Sequence, residues 1–515
     1  MPNIEFPERF RMSDYFLYHN LEEGREGKVC LYDDDETYTY AEAAQWSNRA
    51  GGALRELGLR VEDRVLIALP DCPEFVWTWF GTNRAGGVIT MVNPLLPAED
   101  YRYYLEYTRA RIAVIHESLL DNFEQAADRS KHLRSVLVVG KEHGRFHSFA
   151  EALGAQADEL EPAEMSRDDV AIWLFTSGST GHPKGAVHLQ HDLPYNTECY
   201  AKGVLGVNEN DLTVSVPKLF FGYATGTNLL FPFAVGGATA LFPERSTPEK
   251  MFEMIERYRP TILTSVPTMI NSMLAADGAG AHDLSSLRMC LSAGEALPAE
   301  LYRRWVERFG VEIYDGIGSA EMFHIYITNR PGDVKPGSLG RIVEGYEAEV
   351  VDAEGHALPA GEMGTLRVKG DSAALCYWQA HDKSKQTFAG DWCTTGDQFH
   401  FDAEEYYWYH GRTDDMLKVS GVFVAPAEIE NCLLQHDAVL EAAVVGHDTG
   451  DRLIKPKAFV VLREGFAPGE ELSRSIKEFV KSRLALYKYP RWVEFVPSLP
   501  KNDRGKIDRK RLKEQ

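Results

Sequence analysis

The sequence predicts an α/β protein in two unequal parts: a large multi-sheet amino-terminal domain with helix-covered sheets, and a small mobile α+β carboxy-terminal domain. Short apolar runs at 65–69, 171–175, 262–266, 289–291 and 442–445 recur between helical patterns, as buried strands of parallel or mixed sheets do. The chain has 515 residues, enough for more than one core. A polar, turn-prone segment, Tyr409-His-Gly-Arg-Thr-Asp-Asp-Met-Leu-Lys418, follows the aromatic stretch 406–408 and precedes a self-contained tail of strands and helices. It divides the chain into domains 1–413 and 414–515, with a hinge near Asp414.

In chain order, the first four apolar runs build the large domain, and Gly222, Gly226, Gly236 and Gly237 punctuate its middle. Near the end, Leu472, Ile476, Phe479, Val480 and Leu484 fall at helical spacing among charged residues, an amphipathic helix over a small sheet. No repeat or low-complexity tract interrupts the pattern. With 44% hydrophobic and 26% charged residues, disorder and collagen-like structure are excluded. A net charge of −22 would repel nucleic acid and an anionic membrane, so neither is expected as a partner, and any polyanionic ligand needs a local basic pocket. The seven cysteines form no Cys-x-x-Cys pair, which fits a reducing compartment and argues against a zinc ribbon. The amino terminus lacks a secretory pattern and no apolar run is long enough for a bilayer, so a cytoplasmic location is expected.

Directly after the run 171–175 stands Thr176-Ser-Gly-Ser-Thr-Gly-His-Pro-Lys-Gly185. Its glycines let the backbone turn and present amide hydrogens, the hydroxyls of Thr176, Ser177, Ser179 and Thr180 add donors, and Lys184 adds a point charge. Such a loop suits a triphosphate. It differs from the P-loop of ATPases, which would place glycine at Pro183 and a hydroxyl at Gly185. Gly278-x-Gly280 and Gly316-x-Gly318 lack the last glycine of a dinucleotide fingerprint, which leaves a Rossmann dehydrogenase unsupported.

The loop resembles the signature of the acyl-adenylate-forming superfamily of acyl-CoA synthetases, adenylation domains and luciferases. Asp315-Gly-Ile-Gly-Ser-Ala-Glu321, Thr395-Gly-Asp397, Gly411-Arg-Thr-Asp-Asp-Met-Leu-Lys-Val-Ser-Gly421 and Pro500-Lys-Asn-Asp-Arg-Gly-Lys-Ile-Asp-Arg509 follow in the family's order across nearly the whole chain. The resemblance implies ATP, Mg²⁺ and coenzyme A. It implies that Ser177, Gly178, Ser179, Thr180, Gly181 and Lys184 cradle phosphates, that Glu321 and Thr176 hold Mg²⁺, and that Asp397 and Arg412 bind the ribose. Asp315 would accept from the adenine amino group, and Gly294, Glu295, Gly316, Ile317 and Ser319 would line the nucleotide. Lys506 would bridge the substrate carboxylate and α-phosphate during adenylation. After rotation about Asp414, Lys418 and Gly421 would serve thioester formation. One small domain cannot present Lys506 and Lys418 together, so the half-reactions are separated mechanically. Two positions depart from the family pattern: Ile317 covers adenine without an aromatic face, and Ala320 lacks the hydroxyl expected near the α-phosphate.

The acid pocket is expected between Lys218-Leu-Phe-Phe-Gly-Tyr-Ala-Thr-Gly226, Leu291-Ser-Ala-Gly-Glu-Ala-Leu297 and Glu321-Met-Phe-His324. The first segment carries no aspartate to pair with an amino-acid ammonium, and it resembles benzoate-CoA ligases and related aryl-CoA ligases. Phe221, Tyr223, Ala293 and Ile317 would enclose a flat ring, His324 and the Tyr223 hydroxyl would read a substituent, and Gly222 would leave room for an amino or hydroxyl group. The expected activity is an ATP- and Mg²⁺-dependent aryl-CoA ligase for benzoate, 2-aminobenzoate or hydroxybenzoate. Two alternatives stay open: an aryl-acid adenylating enzyme that loads a carrier-protein phosphopantetheine, and a non-catalytic nucleotide-binding regulator. A homodimer is left open.

Overall fold

The computed structural model describes residues 4–141, 144–176, 182–419, 422–448, 454–501 and 507–513. The first large sheet has eight strands in the order Cys376–Tyr377, Lys184–Leu189, Val170–Thr176, Val88–Met91, Arg64–Ala68, Ile112–His116, Ser135–Val139 and His147–Ser148. Its centre is parallel because crossover helices return the chain over its faces. One of these, Pro73–Arg84, starts with proline in its first turn and fully buries Phe75, Trp79 and Phe80.

The second large sheet has nine strands, with Ile313–Gly318, Met289–Ser292, Ile262–Ser265 and Leu212–Ser215 as parallel neighbours at its centre. Helix Ala299–Phe309 covers it through Trp305, which is fully buried. Each apolar run read from the sequence is a strand here, and buried on both faces as expected. The strands Val170–Thr176 and Ile313–Gly318 belong to different sheets, yet the first packs against the turn Ala320–Met322 that ends the second. That junction brings the phosphate loop and Glu321 together.

A third, antiparallel sheet of five strands includes Gly364–Lys369, Trp392–Phe401 and Tyr407–Arg412. Its alternating burial is that of a sheet with one solvated face. Beyond it, the hairpin Leu417–Val419 and Val422–Val424 leads to a three-stranded sheet, Val439–Asp448, Ile454–Leu462 and Trp492–Phe495. The amphipathic helix expected near the end is Glu470–Lys481, whose Ile476 and Val480 pack with Ile429, Val444 and Val460 in a separate core.

Candidate active site

Thr176 ends its strand opposite Lys184, so the phosphate-loop motif begins and ends on paired strands. Ser177, Gly178, Ser179, Thr180 and Gly181 lie outside the described residues. Strand Cys376–Tyr377 extends the edge of Lys184–Leu189 and sets Tyr377 opposite Ala186. From there the buried Tyr377 hydroxyl donates to Glu321 Oε1 at 2.6 Å, and Lys184 Nζ lies 5.8 Å from the Tyr377 ring centre. Burial holds the Lys184 ammonium below the usual lysine range, Lys383 adds to this, and Glu321 opposes it. The main-chain oxygen of Glu321 also accepts from Ala374 N at 2.7 Å, so the residue is fixed at both ends.

Among the described residues, no group of three or more His, Cys, Asp or Glu forms a closed metal cage. One carboxylate and one hydroxyl, completed by ATP phosphates and water, is the hard-oxygen donor set that Mg²⁺ takes. Glu321 and Thr176 fit that requirement.

On the nucleoside side, Asp397 pairs with Arg412 across the antiparallel ladder, and Arg412 Nη1 lies 3.4 Å from Asp397 Oδ1. Asp397 is 7% exposed and receives its order from Thr395, whose hydroxyl accepts Asp397 N at 3.2 Å. A Cβ at Gly396 would stand 2.8 Å from the Arg412 guanidinium, the mobile end of a long side chain. Asp315 is buried, and burial pushes its carboxyl up to about 8 against the amides of Leu297 and Gly316. Among the described residues its Oδ1 has no hydrogen-bond partner, the condition of a group that could receive a donor from a ligand. Asn329 fixes the backbone here, donating N and Nδ2 to the Asp315 carbonyl at 3.0 and 3.2 Å. Ile317 is half-buried and packs against the large core, and Gly316 stands where a Cβ would lie 2.8 Å from Ile327 O. The Ser319 hydroxyl is buried.

The acid side is built on one strained residue. Phe323 has φ 67° and ψ −59°, and His324 N donates to Met322 O at 2.9 Å, closing a γ-turn that non-glycine residues seldom adopt. The turn delivers His324 into an aromatic cage: Phe231, Tyr223 and Tyr200 lie 4.7, 5.3 and 5.5 Å away between ring centres. His324 Nε2–H donates to the Tyr223 carbonyl at 3.0 Å, which assigns the proton to Nε2 and leaves Nδ1 as an acceptor. Burial lowers the ring's pKa to about 4 and keeps it neutral. Both Nδ1 and the Tyr223 hydroxyl are buried without partners. A Cβ at Gly226 would lie 2.5 Å from His324 Cδ2, whereas one at Gly222 would meet Leu174 at 3.4 Å, an ordinary contact. Phe221 is half-buried and Ala293 is buried beside these groups' segments. Gly294 takes φ 88°, and the Glu295 carboxylate is engaged by Thr268, whose hydroxyl donates to it at 2.7 Å.

Three residues that the sequence did not single out support this arrangement: Tyr377, Asp71 and Lys218. Asp71 Oδ1 accepts Leu219 N at 2.8 Å and so anchors the start of the acid-binding segment. Lys218 Nζ donates to Phe242 O at 2.7 Å, and burial brings its ammonium down to about 8. Asp71 and Leu219 are 148 positions apart, a separation that no local pattern reveals.

In the carboxy-terminal part, Asp414 falls in the single turn Thr413–Asp415, directly after Arg412. Lys418 lies on strand Leu417–Val419, opposite Phe423. The side chains of Asp414 and Lys418, and all of Gly421 and Lys506, lie outside the described residues. Just beyond Lys506, Arg509 makes a buried fork with both oxygens of Glu430 at 2.7 Å.

An α/β scaffold that carries the two ends of a phosphate-loop motif on paired strands, next to the turn holding Glu321, is that of a nucleotide-dependent carboxylate-activating enzyme. The chain belongs to the AMP-binding enzyme family: residues 18–378 match the AMP-binding enzyme model and residues 428–506 match the AMP-binding enzyme C-terminal domain. It is 45% identical over 99% of its length to a benzoate-CoA ligase of Thauera aromatica, covering 97% of that protein. A crystal structure of an anthranilate CoA ligase in complex with anthranoyl-AMP matches with TM-score 0.95 and 42% identity, covering 99% of this chain and 98% of that one. A benzoate CoA ligase from Burkholderia xenovorans LB400 matches with TM-score 0.91 and 42% identity, covering 98% and 100% of the two chains. Among the described residues no helix is long and apolar enough to cross a membrane.

Proposed function

We propose that this enzyme activates a benzoate-type acid, benzoate and 2-aminobenzoate foremost and hydroxybenzoate next, and transfers it to coenzyme A. One observation carries the choice of acid: the aromatic cluster of Tyr200, Tyr223, Phe231 and His324, three residues beyond Glu321, holds two buried polar groups that have no partner among the described residues, His324 Nδ1 and the Tyr223 hydroxyl. A flat ring suits those aromatic side chains, and a ring donor such as an amino or hydroxyl group suits the Nδ1 acceptor. The identities to benzoate-, hydroxybenzoate- and anthranilate-CoA ligases support the same reading.

In the first half-reaction a carboxylate oxygen attacks the α-phosphorus of ATP, the bond to the bridging oxygen breaks, and pyrophosphate leaves with the electron pair. Two anions must meet, so cationic groups must offset their repulsion. Glu321 and Thr176 would hold Mg²⁺, which would neutralise phosphate charge when bound. Lys184 and the loop 177–181 hold the phosphates, Asp397 and Arg412 the ribose, Asp315 the adenine amino group, and Lys506 bridges carboxylate and α-phosphate. The small domain then turns about Asp414 and brings Lys418 and Gly421 to the cleft. The CoA thiol loses its proton, sulfur attacks the acyl carbonyl, and AMP departs with the bonding pair. Cytoplasm is the compartment this chemistry needs, since it supplies ATP and CoA, and the seven unpaired cysteines accord with it.

The test is AMP release with and without CoA across benzoate, 2-aminobenzoate, 4-hydroxybenzoate, cyclohexanecarboxylate and acetate. Turnover confined to the aryl acids and dependent on CoA is expected. Preference for acetate, or adenylate formation with no acyl transfer to free CoA, overturns the reading.

A further inference from the structure

Among the described residues outside those named above is a buried ionisable pair close to Glu321. His188, on the strand that carries Lys184, and Asp192, at the start of helix Asp192–Asn196, have side chains 0% and 1% exposed. His188 Nδ1 lies 2.8 Å from Asp192 Oδ2, and Nε2 lies 2.7 Å from the carbonyl oxygen of Ala320. Each ring nitrogen thus faces an oxygen, and the ring bridges the two. Asp192 is itself pinned: its Oδ2 accepts Leu189 N at 3.1 Å, and its Oδ1 lies 3.4 Å from His191 Nε2.

Ala320 immediately precedes Glu321, and the intervening peptide is planar. Holding the Ala320 carbonyl therefore fixes the plane from which the Glu321 Cα departs, and the Tyr377 hydroxyl bond then holds the carboxylate at the other end. The bridge also spans the two large sheets, since His188 belongs to the eight-stranded sheet and Ala320 to the turn that ends a strand of the nine-stranded one. Tyr377 fixes the Glu321 carboxylate from one side, and His188 fixes its backbone from the other.

We propose that His188, oriented by Asp192, is a positioning residue for adenylation, setting Glu321 against Lys184 so that the cation and the phosphates meet in register. The proposal rests on the assignment of Glu321 to the cation. Outer partners of metal ligands characteristically change affinity or activity by about 10- to 100-fold when removed.

The experiment compares His188→Leu, His188→Gln and Asp192→Asn with Glu321→Gln in three readouts. These are Mn²⁺ binding in the presence of a non-reacting ATP analogue, followed by electron paramagnetic resonance; ATP–pyrophosphate exchange as a function of Mg²⁺; and conversion of preformed aryl-AMP to aryl-CoA. For His188→Leu, cation affinity and exchange fall by about 10-fold or more, while the second half-reaction stays within about twofold. Gln, which keeps one donor, restores part of the loss. Asp192→Asn, which preserves volume and an acceptor for Nδ1–H, shifts cation affinity in the same direction and carries the test if His188→Leu does not fold. Unchanged Mn²⁺ affinity in both His188→Gln and Asp192→Asn, or parallel loss of both half-reactions matching the fall in thermal midpoint, overturns the positioning role. Unchanged Mn²⁺ affinity in Glu321→Gln instead overturns the assignment of Glu321 and is a separate failure.

Discussion

Tyr377 donates its hydroxyl to the Glu321 carboxylate at 2.6 Å across 56 positions of sequence, joining an edge strand of one sheet to a turn at the end of another. The bond occupies one oxygen of Glu321, and Lys184 Nζ lies 5.8 Å from the centre of the same tyrosine ring. If Glu321 holds the cation as proposed, the phenol would help to orient its carboxylate.

Removing that hydroxyl leaves the carboxylate free to rotate. Hydrogen bonds to a charged partner are worth about 1.5–3 kcal/mol, so Tyr377→Phe is expected to slow ATP–pyrophosphate exchange by about 10-fold and to raise the Mg²⁺ needed for half-saturation. Transfer from preformed aryl-AMP to CoA is expected to stay near the wild-type rate. Magnesium titrations of the two half-reactions, run separately, check this.

Under the proposed function His324 would read a ring substituent through Nδ1, because Nε2 is committed to the Tyr223 carbonyl. Replacing it by phenylalanine keeps an aromatic wall and deletes the acceptor. The ratio of kcat/KM for 2-aminobenzoate over benzoate is therefore expected to fall by about 5- to 30-fold in His324→Phe, with benzoate itself much less affected. Paired steady-state kinetics on the two acids decide it, and an unchanged ratio removes His324 from substituent recognition.

Two glycines make opposite predictions. At Gly318 a Cβ would lie 2.3 Å from His324 O, a main-chain atom that cannot move without opening the γ-turn, so Gly318→Ala is expected to cost about 2 kcal/mol and most of the adenylation activity. At Gly222 the same atom meets Leu174 at 3.4 Å. Gly222→Ala is expected to fold normally and to disfavour substituted benzoates relative to benzoate. Urea midpoints and the acid panel separate the two cases.

Asp315 predicts a pH dependence of stability. Burial raises its carboxyl in the folded protein to about 8, above the about 3.9 of an unfolded chain. A raised folded value means that its contribution is fully present below about pH 4 and is lost as the pH rises toward 8. Asp315→Asn removes this term, so its stability relative to wild type should improve between pH 5 and 8 by several kcal/mol, on the order of 1.4 per pH unit. Urea unfolding of both proteins at pH 5, 6.5 and 8 measures the difference, and parallel curves would contradict the burial argument. Nucleotide affinity of the variant should fall at the same time, because the amide presents a donor where adenine presents one too.

The nucleotide motifs were legible as motifs because each is contiguous in the sequence. Thr176, Lys184, Glu321, Asp397 and Arg412 each stand within such a motif, at strand ends, within a strand or in a turn, and the apolar runs before Thr176 and Asp315 are recognisable as strands. The third sheet was less visible: Gly364–Lys369 alternates buried and half-buried residues and carries charges, so no apolar run announces it. Tyr377, Asp71 and His188 were not legible at all. Each acts on a backbone or side chain far along the chain, and a tyrosine, an aspartate or a histidine near a strand end has no local mark of the partner it will find. Phe323 belongs with them, since its strain is a property of the fold around it.

The division of labour between Lys506 and Lys418 is the final prediction. Beyond Lys506, Arg509 is tethered to Glu430, whose Oε1 also accepts Val444 N at 2.7 Å. Lys418 lies on a hairpin next to the turn holding Asp414. Under the proposed rotation about that turn, presenting one lysine to the adenylate would withdraw the other. Lys506→Ala is therefore expected to abolish ATP–pyrophosphate exchange while leaving much of the conversion of preformed aryl-AMP to aryl-CoA, and Lys418→Ala should show the reverse bias. Rapid-quench measurement of each half-reaction on both variants provides the check; equal loss of both steps in both variants would refute the alternating arrangement. Glu430→Gln offers a third arm: with the fork to Arg509 weakened, adenylation should suffer more than thioester formation, because only the former depends on the placement of the terminal arm.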